Sequence, residues 1–298
     1  MNRRNFLRAT GALTGLSLLP QCQLFASAFF ANGEMHPLRR NVGYYTGQGG
    51  TIGWLLTADH LVVVDTQFPE QAGTLLAALQ ETNLNPVDLL INTHHHGDHT
   101  SGNIAFKGIV QTHVAHQNSR DNQERVARER GNLNEQLLPT TTFTGTWSQQ
   151  VGDEKITLHY SGPAHTNGDA LIHFENANVV HLGDLVFNRR FPYIDKPAGA
   201  HIGNWISVLR KARKTFEKDT QYIFGHAGDG HPVTGSAADL KAMENYLRRL
   251  LNFMKKARRQ GMTLEQIKAS TSGIPGAPEW QGGGIERSLD AAWTELEE

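Results

Sequence analysis

The sequence predicts an α/β fold in which two β-rich layers pack face to face with helices outside. Three observations carry this expectation. Short runs of apolar and β-branched residues are bounded by Gly, Pro, Asn or Asp, the mark of many short strands. Both halves of the chain follow the order strands, helix, strand, and stacked layers bury the apolar faces of such elements. The 298 residues are 39% hydrophobic and include 30 glycines, enough for a substantial core with many turns.

The chain opens on a segment unlike the rest. Arg3-Arg4-Asn5-Phe6-Leu7-Arg8 is a basic start, and an apolar stretch follows from Ala9 to Phe25. Ala26-Ser27-Ala28 has the small-x-small form of a signal-peptidase site. Residues 1–28 therefore resemble a twin-arginine export signal, a receptor-read address that is removed. The alternative is a retained membrane helix, but the run is short and broken by Gly11, Gly15 and Pro20. A periplasmic or otherwise exported protein follows, with no stable membrane anchor after cleavage. The only cysteine, Cys22, lies in this segment. The mature chain then has no disulfide, thiol nucleophile or thiolate ligand.

After an N-terminal extension over 29–41, the pattern becomes β. Val42–Thr46, Gly53–Thr57 and Leu61–Val64 read as short strands separated by hairpin-length turns. Gln71 to Leu84 reads as a helix with Leu75, Leu76 and Leu79 on one face. Val87–Ile91 is a short buried strand, Ile109–Val114 another, and a polar helix runs from about Ala115 to Arg130. His113 and His116, at that junction, read as structural. Residues 131–150 are loop-like, rich in Thr, Gln and Asn, and could border a substrate cleft.

The second half repeats the style. Lys155–Tyr160, Ala170–Phe174, Val179–Leu182 and Gln221–Phe224 are strands, and Gly203–Phe216 is a helix. Ser236 starts a long helix to about Arg258, and Asp239 three residues on approximates a capping box. Its stripe of Leu240, Met243, Leu247, Leu250 and Met254 is core packing. Thr263-x-x-Gln266 begins a short helix, 272–284 is a Gly-rich loop, and Ile285–Leu296 is a last amphipathic helix.

The chemistry concentrates in Asn92-Thr93-His94-His95-His96-Gly97-Asp98-His99-Thr100, at the C-terminal end of the Val87–Ile91 strand. Side chains at i and i+2 of extended backbone share a face, so His94 and His96 converge while His95 points away. Asp98 and His99 follow in a turn that Gly97 permits and could reach a second ion. Imidazole and carboxylate donors suit zinc. The alternative is a solvated histidine loop or an adventitious metal-binding tract. Three later positions also sit at turn-marked strand ends. His165 lies in Ser161–Asp169, Asp184 ends Leu182-Gly183-Asp184, and His226 lies in Phe224–Gly228. Net charge is −1, which points to no nucleic-acid partner.

In this order, His-x-His-x-Asp-His followed by His165, Asp184 and His226 resembles the metallo-β-lactamase superfamily of metallohydrolases. The resemblance covers most of 42–260, leaving 261–298 as a C-terminal helical extension. It implies a four-layer αβ/βα sandwich with a metal site at one edge of the two sheets. It implies two zinc ions, with iron and manganese left open. His94, His96 and His165 would hold the first ion, Asp98, His99 and His226 the second, and Asp184 would bridge them. Asp98 would also orient the nucleophile or carry a proton. Asp65 and Asp169 are candidates to orient the imidazoles, and Asn188, Arg189 and Arg190 to contact an anionic group.

The implied activity is hydrolysis of a small molecule by attack on an amide, ester or lactone carbonyl, with a hydroxide that the metals supply at neutral pH. β-Lactams are one candidate substrate. One β-lactamase branch carries cysteine where Asp184 stands and lysine three residues later, and this chain has Phe187 there. Two further readings stay open: an iron-dependent member acting on sulfur compounds or oxygen, and a thioester hydrolase. The oligomeric state is not legible.

Overall fold

The computed structural model describes residues 29–30 and 33–297, so the segment read as an export signal, with Cys22, lies outside the described residues. The first sheet has eight strands in sequential order: β1 Phe29–Phe30, β2 Gly33–Arg39, β3 Val42–Thr46, β4 Ile52–Leu56, β5 Leu61–Val64, β6 Val87–Asn92, β7 Val110–His116 and β8 Thr141–Phe143. Pairing is antiparallel from β1 to β5 and parallel from β5 to β8. The direction changes where the connection lengthens. β5 and β6 are joined through helix α1, Pro69–Gln80, and parallel neighbours need such a crossover.

The second sheet is built from β9 Thr146–Val151, β10 Glu154–Tyr160, β11 Ala170–Phe174, β12 Val179–His181, β14 Gln221–Ile223 and β16 Thr234–Gly235, in the order β16-β14-β12-β11-β10-β9. A two-residue parallel pair, β13 Phe187–Asn188 with β15 His226–Ala227, stands beside it. The remaining helices are α2 Gly97–Thr100, α3 Gln117–Arg130, α4 Ile202–Thr215, α5 Ala237–Arg259, α6 Leu264–Ser270 and α7 Ile285–Glu295.

Alternation along the strands builds the layers. Val62 and Val64 of β5 enter the core between the sheets with Leu89, Ile91, Ile156, Leu158, Ile172 and Phe174. Leu61 and Val63 face the other way, onto Leu75 and Leu79 of α1. A strand buried on both faces reads as an unbroken apolar run, which is why Leu61–Val64 is so plain in the sequence. On the far side, Leu171, Val180 and Leu182 pack on Leu209 of α4 and Leu247 of α5. The order is helix, sheet, sheet, helix, the four layers expected.

Helix α5 starts as its sequence requires. The Ser236 hydroxyl accepts from Ala238 N at 3.2 Å, and Asp239 accepts from Ser236 N at 3.0 Å. Asp239 also pairs with Arg189 at 3.0 Å. Asp239→Ala should lower stability by about 1–2 kcal/mol through the lost cap, read as a lower urea midpoint at unchanged slope. An unchanged midpoint would mean that the box carries no stability.

Three segments differ from expectation. Residues 33–39, assigned to an N-terminal extension, add strand β2 to the first sheet. Pro37 and a register shift between Pro37 and Arg39 hide that strand from a propensity reading. Residues 131–150, expected as a loop, contain β8 and most of β9. β9 is an edge strand of mostly polar residues, so it lacks the apolar alternation that marks a half-buried strand. Helix α1 ends at Gln80 rather than Leu84, and the Asn83 side chain closes a turn by accepting from Asn85 N at 2.7 Å. The C-terminal residues pack into the second helical layer: Ile267, Leu289 and Ala292 share the core of α4 and α5.

Candidate metal centre

The seven ligand candidates sit at one end of the two sheets. His94 and His96 leave β6, and α2 carries Asp98 and His99. His165 lies on the turn between β10 and β11, Asp184 just after β12, and His226 on β15. Strands that end together bring residues from 94 to 226 into one place.

These seven fall into two clusters: His94, His96, His165 and Asp184 in one, Asp98, His99 and His226 in the other. A third group of possible donors, His95, His96 and Asp195, overlaps the first, so His95 does not simply point away as expected. Asp184 reaches both of the first two. Its Oδ2 lies 3.5 Å from His165 Nε2 and 3.9 Å from His94 Nε2. Its Oδ1 lies 3.1 Å from His99 Nε2 and 3.5 Å from His226 Nε2. Asp98 Oδ2 lies 3.1 Å from His226 Nε2 and 3.9 Å from His99 Nε2.

The outer hydrogen bonds decide which way each ring presents its lone pair. His96 Nε2 donates to Asp195 Oδ2 at 2.8 Å, so Nδ1 turns its lone pair inward. His165 Nδ1 donates to the Tyr193 carbonyl at 2.8 Å, which leaves Nε2 inward. The Thr93 hydroxyl donates to Asp65 at 2.6 Å and accepts from His94 Nδ1 at 3.0 Å, so His94 Nε2 faces inward too. His99 Nδ1 donates to Asp65 at 2.7 Å. Inward nitrogens of His94 and His165 then stand 3.1 Å and 2.9 Å from that of His96. Lone pairs opposed at that range repel, and buried acceptors without donors are costly. His99 Nε2 and Asp184 Oδ1 are likewise buried with no hydrogen-bond partner. A cation in each cluster satisfies every one of these atoms, so the side chains fit a pair of metal ions. Outer partners that fix ring orientation are a normal part of such sites.

Charge follows the same geometry. Burial opposes ionisation of Asp184, but His226 and His99 outweigh it and hold the carboxyl well below the usual range. Burial opposes charge on Asp98 too, yet His99 and His226 bring it down to about 2. Burial opposes charge on His99 and His226 as well. The surrounding carboxylates, Asp184 first, still lift His99 well above its ordinary value and His226 to about 9. Burial lowers His94 far below 6.5 and His165 to about 3.

Close approach explains two glycines. A Cβ at position 225 would lie 1.9 Å from Asp184 Oδ1, and one at position 50 would lie 2.2 Å from the His99 ring. No side chain fits at either place.

The other residues singled out fall as follows. Asp65, wholly buried, holds both Thr93 and His99. Asp169 touches no imidazole; it accepts from Thr166 N and Oγ1 at 2.8 and 2.9 Å and braces the turn that carries His165. Arg189 is tied to Asp239 and Asn188 to the Pro232 carbonyl, while Arg190 lines the cleft. His95 is buried beside the site, its Nε2 3.5 Å from Asp195. His113 and His116 are structural: one binds Asn92, the other caps α3 through Asn118 N. Sequence reasoning missed Asp195, which orients His96 and caps the turn Lys196–Ala198. Its signal was the spacing of Asp195 and Pro197, a helix-start pattern.

Two buried histidines outside the clusters set an acid limit. Burial lowers His113 to about 3 and His181 to about 4. Each binds fewer protons folded than unfolded between those values and about 6.5, so stability rises with pH there and is lost as pH falls. The urea midpoint should fall steadily from pH 6.5 to 4. His113→Gln should flatten that slope by up to about 1.4 kcal/mol per pH unit; an unchanged slope would show that His113 is not buried neutral.

The clusters floor a cleft of about 650 Å³, walled by α3 on one side and by Arg190, Tyr193 and Arg287 on the other. Solved structures share this fold. The chain superposes on a double mutant of the sec-alkyl sulfatase PisA1 with a TM-score of 0.68 and 15% identity, covering 89% of this chain and 50% of that one. It superposes on a metallo-beta-lactamase from Erythrobacter litoralis, with beta-mercaptoethanol in its active site, at a TM-score of 0.59 and 16% identity, covering 75% of this chain and 99% of that one. In sequence it is 23% identical over 185 residues to metallo-beta-lactamase IND-1 of Chryseobacterium indologenes, 60% of this chain and 73% of the relative. It is 30% identical over 130 residues to the alpha subunit of 2,4-dinitroanisole O-demethylase from Nocardioides sp. (strain JS1661), 43% of this chain. The chain spans 38% of the length of that subunit and half that of the sulfatase. Residues 45–227 match the family described as the metallo-beta-lactamase superfamily. With its two sheets flanked by helices and its His and Asp clusters at their shared edge, the chain belongs to that superfamily.

Proposed function

We propose that the protein is an exported hydrolase with two zinc ions that cleaves an amide, ester or lactone carbonyl of a small molecule. In this reading His94, His96 and His165 hold one ion, Asp98, His99 and His226 the other, and Asp184 bridges. The observation that carries it is the split of the Asp184 carboxylate, one oxygen toward each cluster, beside the imidazoles of His94, His96 and His165, whose outer hydrogen bonds turn their lone pairs inward.

Bound zinc would lower the pKa of water to near neutrality and offset negative charge that develops on an attacked carbonyl. The protein's own residues do the rest. Asp98 keeps an ionised carboxylate with its side chain 33% exposed toward the cleft, where it can orient a water and take up its proton. Asp65 and Asp195 hold the rings of His99 and His96 in one orientation. The twin-arginine segment supports export; a pathway that carries folded proteins suits a protein loaded with metal before transport.

The same oxygen and imidazole donors, without a thiolate, also suit iron or manganese, which is the second reading. Metal analysis after expression separates the two. The test of function is turnover of a chromogenic cephalosporin, a lactone and a 4-nitrophenyl ester by the zinc-loaded protein. Turnover of at least one is expected, lost on chelation and restored by zinc. A protein with two zinc ions bound that turns over none of the three would overturn the reading.

A further inference from the structure

Four arginines line the cleft above the clusters: Arg125 and Arg130 on α3, Arg190 after Asp184, and Arg287 in the first turn of α7. Only Arg125 has a carboxylate partner among the described residues, Glu129 at 2.9 Å. Arg130, Arg190 and Arg287 are exposed and form no ion pair there. Their placement is not scattered. Arg190 forms a backbone bridge with Gln281, so it shares a wall with Arg287. The Arg287 guanidinium sits 5.2 Å from the Tyr193 ring, and that ring is 5.3 Å from the His96 ring. Arg287 therefore stands one aromatic ring outside the histidine floor. Arg130 faces from the opposite wall, beside Gly97.

The floor does not need these cations. Asp98 and Asp184 contact His99 and His226, and Asp195 is held by His96 and Ala198 N. Two dications would make the floor more positive still, and further unpaired cations nearby are unfavourable unless an anion joins them. Arginine forks suit carboxylate and sulfate oxygens.

We propose that the cleft selects substrates carrying a second, anionic group, a carboxylate or sulfate, outside the bond that is cleaved, bound by Arg190 and Arg287 with Arg130 opposite. This rests on the hydrolase reading above and adds the substrate class.

The test compares 4-nitrophenyl hydrogen glutarate with 4-nitrophenyl butyrate on the zinc-loaded protein. The anionic ester should be preferred in kcat/KM by about tenfold or more, the order of one charge-assisted contact. In the Arg190→Gln, Arg287→Gln double variant the ratio should fall toward one, and high salt should lower it in the wild type. A ratio near one in the wild type, or a preference unchanged in the variant, overturns the proposal while leaving the hydrolase reading intact. If neither ester is turned over, calorimetry with monomethyl glutarate and with butyl sulfate decides. Binding by the wild type, weakened at least about tenfold in the double variant, supports the proposal, and the tighter ligand names the anion. Equal binding by both proteins, or by neither, overturns it.

Discussion

Asp98→Ala is expected to lower turnover of any accepted carbonyl substrate by about 10²–10⁴-fold, the usual contribution of a positioned acid or base. The fold should survive. The Asp98 side chain is partly exposed at the cleft, and changes at such positions usually alter stability little. What is lost is specific: the ionised oxygen 3.1 Å from His226 Nε2, which also faces His99. Asp98→Asn separates two roles. It keeps an oxygen that can ligate but cannot take a proton, so metal content should hold while turnover falls. Turnover of either variant within about threefold of the wild type would remove Asp98 from the proposed chemistry.

Asp65→Ala should have the largest effect on stability and metal content. Asp65 is fully buried and accepts from Thr93 N at 2.8 Å, Thr93 Oγ1 at 2.6 Å and His99 Nδ1 at 2.7 Å. Removing it leaves three buried donors without an acceptor. It also frees the His99 ring and, through Thr93, the His94 ring. The cost should be about 3–5 kcal/mol, as for breaking a buried charged pair. Zinc affinity should fall about 10–100-fold, as when an outer partner of a ligand is lost. Denaturation of the chelated protein and competition with a zinc indicator read the two effects separately. If zinc affinity is unchanged while stability drops, Asp65 is structural and does not tune the site.

Much of this is legible in the sequence. Leu61–Val64 is an apolar run that a doubly buried strand explains, and Leu89–Ile91 marks the buried strand that leads into the histidine motif. Each ligand candidate follows a strand and a turn signal: Gly97 beside Asp98, Gly162-Pro163 before His165, Gly183 before Asp184, Gly225 before His226. These are local features. Backbone period and glycine content are written into neighbouring residues, so the chain order of the clusters and the layered α/β class could be read along the sequence.

The rest depends on docking. Asp195 meets His96 across 99 residues, and Asp65 meets His99 across 34. Nothing near Asp195 says which ring it will hold. The cleft arginines come from a helix end, a loop and the C-terminal helix, and they share a site only because α7 packs on α4 and α5. Glu295 secures that packing by accepting from Ile202 N and Gly203 N at the start of α4. Strand β2 and the edge strand β9 were hidden for a related reason. Both are only partly buried, so neighbours in space, not their own pattern, make them strands. The residues that could hold metal were thus determined locally, by spacing at strand ends. Which way each ring turns, and what charge surrounds the substrate, was decided by contacts between segments far apart in the chain, where short-range periodicity carries no information.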